Sequence, residues 1–168
     1  VRRLLDALYD GAAWLAALFM VALLIAVLLS IGGRELGFHV KGTDAYAGYC
    51  MAAAGFLALA HTLKRGEHIR VTLLLSALPP RVRRAFEVWS LVCAVALSGL
   101  LAFYSARLSW QSHKFHDIST GIDATPLWIP QLGMAIGTAI LLVAFVDELV
   151  LELRGQRKVG ASEMSRNE

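Results

Sequence analysis

The run His113, Lys114, Phe115, His116, Asp117 places two imidazoles and a carboxylate within a few positions, a grouping that could hold a metal ion. A closed zinc site needs further ligands, and Lys114 would repel the cation, so the run reads as a polar rim. His61 could be an axial haem ligand, but bis-histidine ligation needs a second imidazole at similar depth on a facing helix. His68 lies on the same connection, whereas His39, His113 and His116 fall on the other side of the apolar segments. Cys50 and Cys93 occupy different segments without a CxxC spacing and read as small buried hydrophobes. Asp147 and Glu148 stand where the last apolar segment ends and read as solvated end charges. HExxH, GxSxG, P-loop and strand-borne GxGxxG patterns do not occur. These residues support no enzyme class and call for no cofactor.

The elements that must carry them are four segments free of Asp, Glu, Lys and Arg: Gly11 to Gly33, Ala45 to Leu63, Val88 to Ala106 and Ala124 to Val146. At about 1.5 Å per helical residue, each can cross a hydrocarbon layer roughly 30 Å thick. The expected fold is all-α, an integral membrane protein with four transmembrane helices, residues 1–153 forming a single membrane domain. At 168 residues and 57% apolar content, the chain leaves no room for a second, water-soluble catalytic domain. The first segment is longer than a secretory h-region of about 7 to 15 residues, and it is expected to be retained.

Charge fixes an orientation. Alternate connections hold twelve and four of the sixteen Lys and Arg residues, and the positive-inside rule puts both termini in the cytoplasm. The net charge of +3 does not point to nucleic acid, because the basic residues border apolar spans, where anionic lipid headgroups are the nearer partner. Ion pumps and proton relays need ionisable groups inside the membrane, and these spans carry no Asp, Glu, Lys or Arg.

Along the chain, Leu4, Leu5, Leu8 and Tyr9 suit a short helix lying on the membrane before the first span, and Trp14 marks the inner interface. Spans one and two should be antiparallel neighbours. Val71, Leu74, Leu75 and Leu78 follow an i, i+3, i+4, i+7 pattern, which predicts an interfacial amphipathic helix between spans two and three, ended by Pro79 and Pro80. Span three is expected to run past Arg107 to Trp110 and Ser112, with Arg107 snorkelling outward. Pro126 suits the first turn of span four, and Pro130 is a candidate kink. Gly133 and Gly137 form a GxxxG, a packing face. The tail 154–168 is polar, without hydrophobic periodicity, and is expected to be disordered.

The segment Ala58, Leu59 to Lys64, Arg65, Gly66, Glu67, His68, Ile69, Arg70, Val71, followed by Leu78, Pro79 and Arg81, resembles the small membrane subunit of TRAP transporters, the DctQ type. The stretch Pro126, Leu127, Trp128, Ile129, Pro130, Gln131, with Gly133 and Gly137, resembles the entry to that family's fourth helix. The resemblance covers nearly the whole chain except the tail. It implies a bacterial inner-membrane scaffold that accompanies a large permease subunit, while a periplasmic solute-binding protein delivers an organic acid. That acid is of the C4-dicarboxylate, sugar acid or sialic acid class, and its uptake is driven by an ion gradient. Under this reading Glu67, His68, Arg70, Val71, Leu74, Leu75, Leu78, Gly133 and Gly137 are candidates for assembly or for contact with membrane phospholipid. Asp117, Asp123, Trp128 and Gln131 are candidates for docking the periplasmic partner. A four-helix redox anchor of cytochrome type and a self-sufficient small carrier are the competing classes.

Overall fold

A computed structural model describes residues 2–38, 41–65 and 79–154. Four helices carry them: α1 (Arg2–Glu35), α2 (Thr43–Lys64), α3 (Pro80–Lys114) and α4 (Trp128–Leu153). All four are long and apolar enough to cross a membrane. The chain is therefore all-α with four candidate spans. The amphipathic segment expected at Val71 to Leu78 lies outside the described residues, as does the tail beyond Arg154.

Two helices exceed what a bilayer needs. At about 1.5 Å per residue, the 34 residues of α1 and 35 of α3 extend roughly 50 Å, well beyond a hydrocarbon layer of about 30 Å. The surface helix expected before span one is not separate: Arg2 to Asp10 continue directly into α1. Tyr9, read from sequence as part of a membrane-lying turn, is instead buried against Ala60 and Leu63 of α2 and Leu141 and Ala144 of α4. The partnership of Tyr9 with two other helices is a long-range contact that local periodicity cannot register.

The helices form an open row. α1 packs on α2, α2 on α4, and α4 on α3, while α1 meets α4 only marginally and α2 and α3 make no comparable contact among the described residues. Small residues permit the close approaches. A Cβ on Gly133 would come within 2.9 Å of Ala53 Cβ, and one on Gly137 would lie 2.6 Å from the Phe56 carbonyl carbon. Thr138, beside this seam, is fully buried and returns its hydroxyl to the Met134 carbonyl at 2.9 Å, so it adds no unsatisfied donor. Most remaining apolar side chains point outward, including Trp14, Leu97, Phe103 and Trp110. In water such a surface would aggregate; in lipid it is the solvated face.

The prolines gather at helix starts. Pro79 is the N-cap of α3 and Pro80 its first residue, where the missing N–H costs nothing and the fixed φ favours the helix. Pro126 lies before α4, because its short antiparallel bridge to Ile118 holds it in extended chain. Pro130 then falls in the first turn of α4, where an N–H would have no intrahelical partner, so it has no cause to kink the helix.

Candidate functional site

At the end of the row formed by the α1–α2 and α3–α4 connections, polar side chains converge on Asp123. Tyr49 of α2 donates its hydroxyl to Asp123 Oδ2 at 3.0 Å, and Ser119 donates to Oδ1 at 2.9 Å. The Gly121 N–H donates in turn to Ser119 Oγ at 3.1 Å. The Thr125 hydroxyl stands between Asp123 and Tyr46, sharing a hydrogen bond with the Tyr46 hydroxyl at 3.2 Å. Desolvation by itself would raise the Asp123 carboxyl, but the bonds from Thr125, Ser119 and Tyr49 prevail and hold it below the ordinary aspartate value. The backbone of the same loop is pinned by Ser119 N–H to Thr125 O at 2.8 Å and Leu127 N–H to Asp117 O at 3.0 Å. Gly42, at φ +83°, leaves room for this loop: a Cβ there would stand 2.9 Å from Asp123 Cβ.

The histidine run that opens this loop terminates α3. Asp117 N–H bonds to Ser112 O at 3.0 Å and His116 N–H to His113 O at 3.4 Å, the paired bonds of a Schellman cap. His116 supplies the left-handed residue that closes it, at φ +54°. His113 turns its ring edge to Trp128, with centroids 5.2 Å apart. The cap and the ring contact are the roles that the structure gives His113, His116 and Asp117.

The docking candidates occupy different environments. Asp117 is exposed. Asp123 is committed to the hub just described. Trp128 is half-buried beside His113, and its carbonyl accepts a bond from Ser109 at 3.3 Å. Gln131 is half-buried, its Oε1 without a hydrogen-bond partner among the described residues. The structure thus brings Asp117, Asp123 and Trp128 into one loop system, with only Asp117 presenting a fully exposed charge. Of the assembly candidates, Gly133 and Gly137 sit at the α2–α4 seam, while Glu67, His68, Arg70, Val71, Leu74, Leu75 and Leu78 lie outside the described residues.

The opposite end is held by charge. Lys64 Nζ lies 2.8 Å from Asp6 Oδ1 and 5.7 Å from the Tyr9 ring centroid. His61 Nδ1 is 3.5 Å from Asp10 Oδ1, near enough for attraction when the imidazole is protonated but not aligned as a hydrogen bond. Asp147 and Glu148, read from sequence as solvated, are half-buried, because the last turns of α4 still pack against the row. Arg84 of α3 caps the other helix end, donating to Leu153 O at 3.3 Å. Sequence reasoning missed the pairing of Asp6 and Asp10 with Lys64 and His61; the four-residue spacing of the first two and the three-residue spacing of the last two, which put each couple on one helix face, were the available signal.

Among curated proteins, none matches the chain. The family model described as "Tripartite ATP-independent periplasmic transporters, DctQ component" matches residues 23–155, which takes in the C-terminal part of α1, all of α2 to α4 and the loop around Asp123. With its four apolar spans, the chain belongs to this DctQ family, the small membrane subunit of a TRAP transporter.

Proposed function

We propose that this chain is the stationary scaffold of a TRAP permease, binding a large permease subunit through one face of its helix row. The complex takes up an organic acid of the C4-dicarboxylate, sugar acid or sialic acid class, delivered by a periplasmic binding protein and driven by an ion gradient. It resides in the bacterial inner membrane with both termini cytoplasmic. Residues 1–153 act as one membrane domain, and the interfacial segment Val71 to Leu78 holds its depth.

The open row is the observation that carries this reading. Among the described residues the helices pack in series, and the charge-free segments offer no ionisable relay, which supports a role beside a second chain that moves the anion. A row also presents broad apolar faces to such a chain.

Co-expression with a TRAP large permease subunit tests it. The two should co-purify, and proteoliposomes should take up substrate only when both are present with the binding protein and an ion gradient. Uptake by this chain alone, or a large subunit that neither binds it nor needs it, would refute the scaffold role.

A further inference from the structure

Between α1 and α2, on their outward half, the side chains leave a groove of about 390 Å³. Ala22, Ile25, Ala26 and Leu29 line it from α1, and Cys50 and Tyr46 from α2. Ala22, Ala26 and Cys50 among its lining residues are small. Protein interiors and membrane interfaces close-pack, so a trough of this size is filled by something from outside the chain. Lys41, in the turn that joins the two helices, and Thr43, the first residue of α2, stand at its upper mouth. The ion pairs among the described residues use Lys64, His61 and Arg83 as cations, which leaves the exposed Lys41 ammonium available.

From this juxtaposition we infer that the groove is a binding site for one phospholipid, an acyl chain lying along Ala22 to Leu29 and Cys50 and the headgroup phosphate against Lys41. A single cation at the mouth of an otherwise apolar trough matches the charge pattern of a phospholipid, one anionic end on a long apolar body. A transmembrane helix of a partner would match the apolar trough but does not of itself bring an anion to Lys41. Tyr46, at the mouth, gives the aromatic edge usual at headgroup depth. The inference requires only that the chain crosses a bilayer and is independent of which substrate the transporter carries.

Photo-crosslinking decides it. The intact permease complex is reconstituted in vesicles containing phosphatidylglycerol with a diazirine in its acyl chain, irradiated, and mapped by peptide mass spectrometry. Adducts should concentrate on the peptides carrying Ala22 to Leu29 and Cys50, several-fold above those on the equally apolar outer face of α3 around Phe103. Ala22→Phe with Ala26→Phe should remove that excess, and Lys41→Glu should lower it several-fold. Should the filled variant fail to fold, the Lys41→Glu result in the correctly folded complex decides alone. Adducts spread over α1 to α4 in proportion to exposed apolar surface, or an excess unchanged by Lys41→Glu, would overturn the site. So would groove peptides that label only when the large subunit is absent, which would make the trough a protein interface.

Discussion

Tyr49 and Asp123, separated by 74 positions, are joined by a 3.0 Å hydrogen bond that ties the α3–α4 loop to the N-terminal half of α2. Because the folded-state pKa of Asp123 is depressed, its contribution to stability is present above the ordinary aspartate value of 3.8 and is lost as pH falls through the lowered folded value. Asp123→Asn should therefore lower the thermal midpoint of the purified complex at neutral pH, with the gap to wild type closing below about pH 4. Tyr49→Phe should give a smaller decrease in the same direction. A gap independent of pH would show that the carboxylate charge is irrelevant to the loop.

Gly137 tolerates no side chain. Its virtual Cβ meets the Phe56 backbone at 2.6 and 2.7 Å, and backbone cannot swing aside, so Gly137→Ala should destabilise by about 1–3 kcal/mol through overpacking. Gly133→Ala, facing Ala53 Cβ at 2.9 Å, should act in the same direction. Gly99→Ala meets only Leu142 Cδ1 at 3.7 Å and should be neutral or stabilising. Unfolding in detergent, followed by helical circular dichroism, ranks the three; equal effects would remove the close seam.

His116 pays for its left-handed conformation, at about 1–2 kcal/mol for an ordinary L-residue. Replacement by Gly relieves that strain and adds freedom to the unfolded chain, a cost of about 0.4–1 kcal/mol, so His116→Gly should be neutral to slightly stabilising. His116→Val should be clearly destabilising. A loss of uptake in the glycine variant with unchanged stability would assign the imidazole a chemical role beyond the cap.

Topology follows from the asymmetry of basic residues. In a Cys-free background, a cysteine at His116 should react with an impermeant thiol reagent in whole cells, and one at Arg83 should react only after the membrane is opened. Labelling at Arg83 from outside would invert the orientation.

The segment between α2 and α3 is tested by charge. Leu74→Glu with Leu75→Glu removes apolar burial of about 1.5–3 kcal/mol per leucine and should impair complex formation. Thr72→Glu with Ser76→Glu, on the other side of the same pattern, should be mild. Equal behaviour of the two double variants in co-purification would show that this stripe does not lie in the membrane interface.

The spans were legible because hydrocarbon imposes length and the exclusion of charge, both readable from residues such as Gly11 to Gly33. Their ends were less so. Nothing local distinguishes Arg2 to Asp10 on a surface from the same residues at the start of a long helix; burial of Tyr9 against α2 and α4 decides it. Pro126 misled because a proline before a helix suits both the first turn and a short extended bridge, and the partner, Ile118, belongs to the preceding loop. Similarly, a GxxxG spacing cannot name its partner helix: Ala53 and Phe56 are far from Gly133 and Gly137 in sequence. The hub at Asp123 escaped for the same reason, since Tyr49 looks like an interfacial aromatic until the loop is folded onto it.

Because α3 touches the rest of the row through α4, and α1 and α2 meet that pair chiefly across the α2–α4 seam, the protein is built as two helical hairpins set side by side. Each hairpin is contiguous in sequence and closes by local contacts, so the first can insert and pair before the second has left the ribosome. Docking of the halves is then a separate, later event, carried by the small residues of the seam, by Tyr9 against α4 and by Tyr49 and Tyr46 reaching the Asp123 loop. A chain severed between Arg65 and Pro79 should still yield two membrane-inserted fragments that find each other. The seam is thus also the line along which the subunit would come apart first.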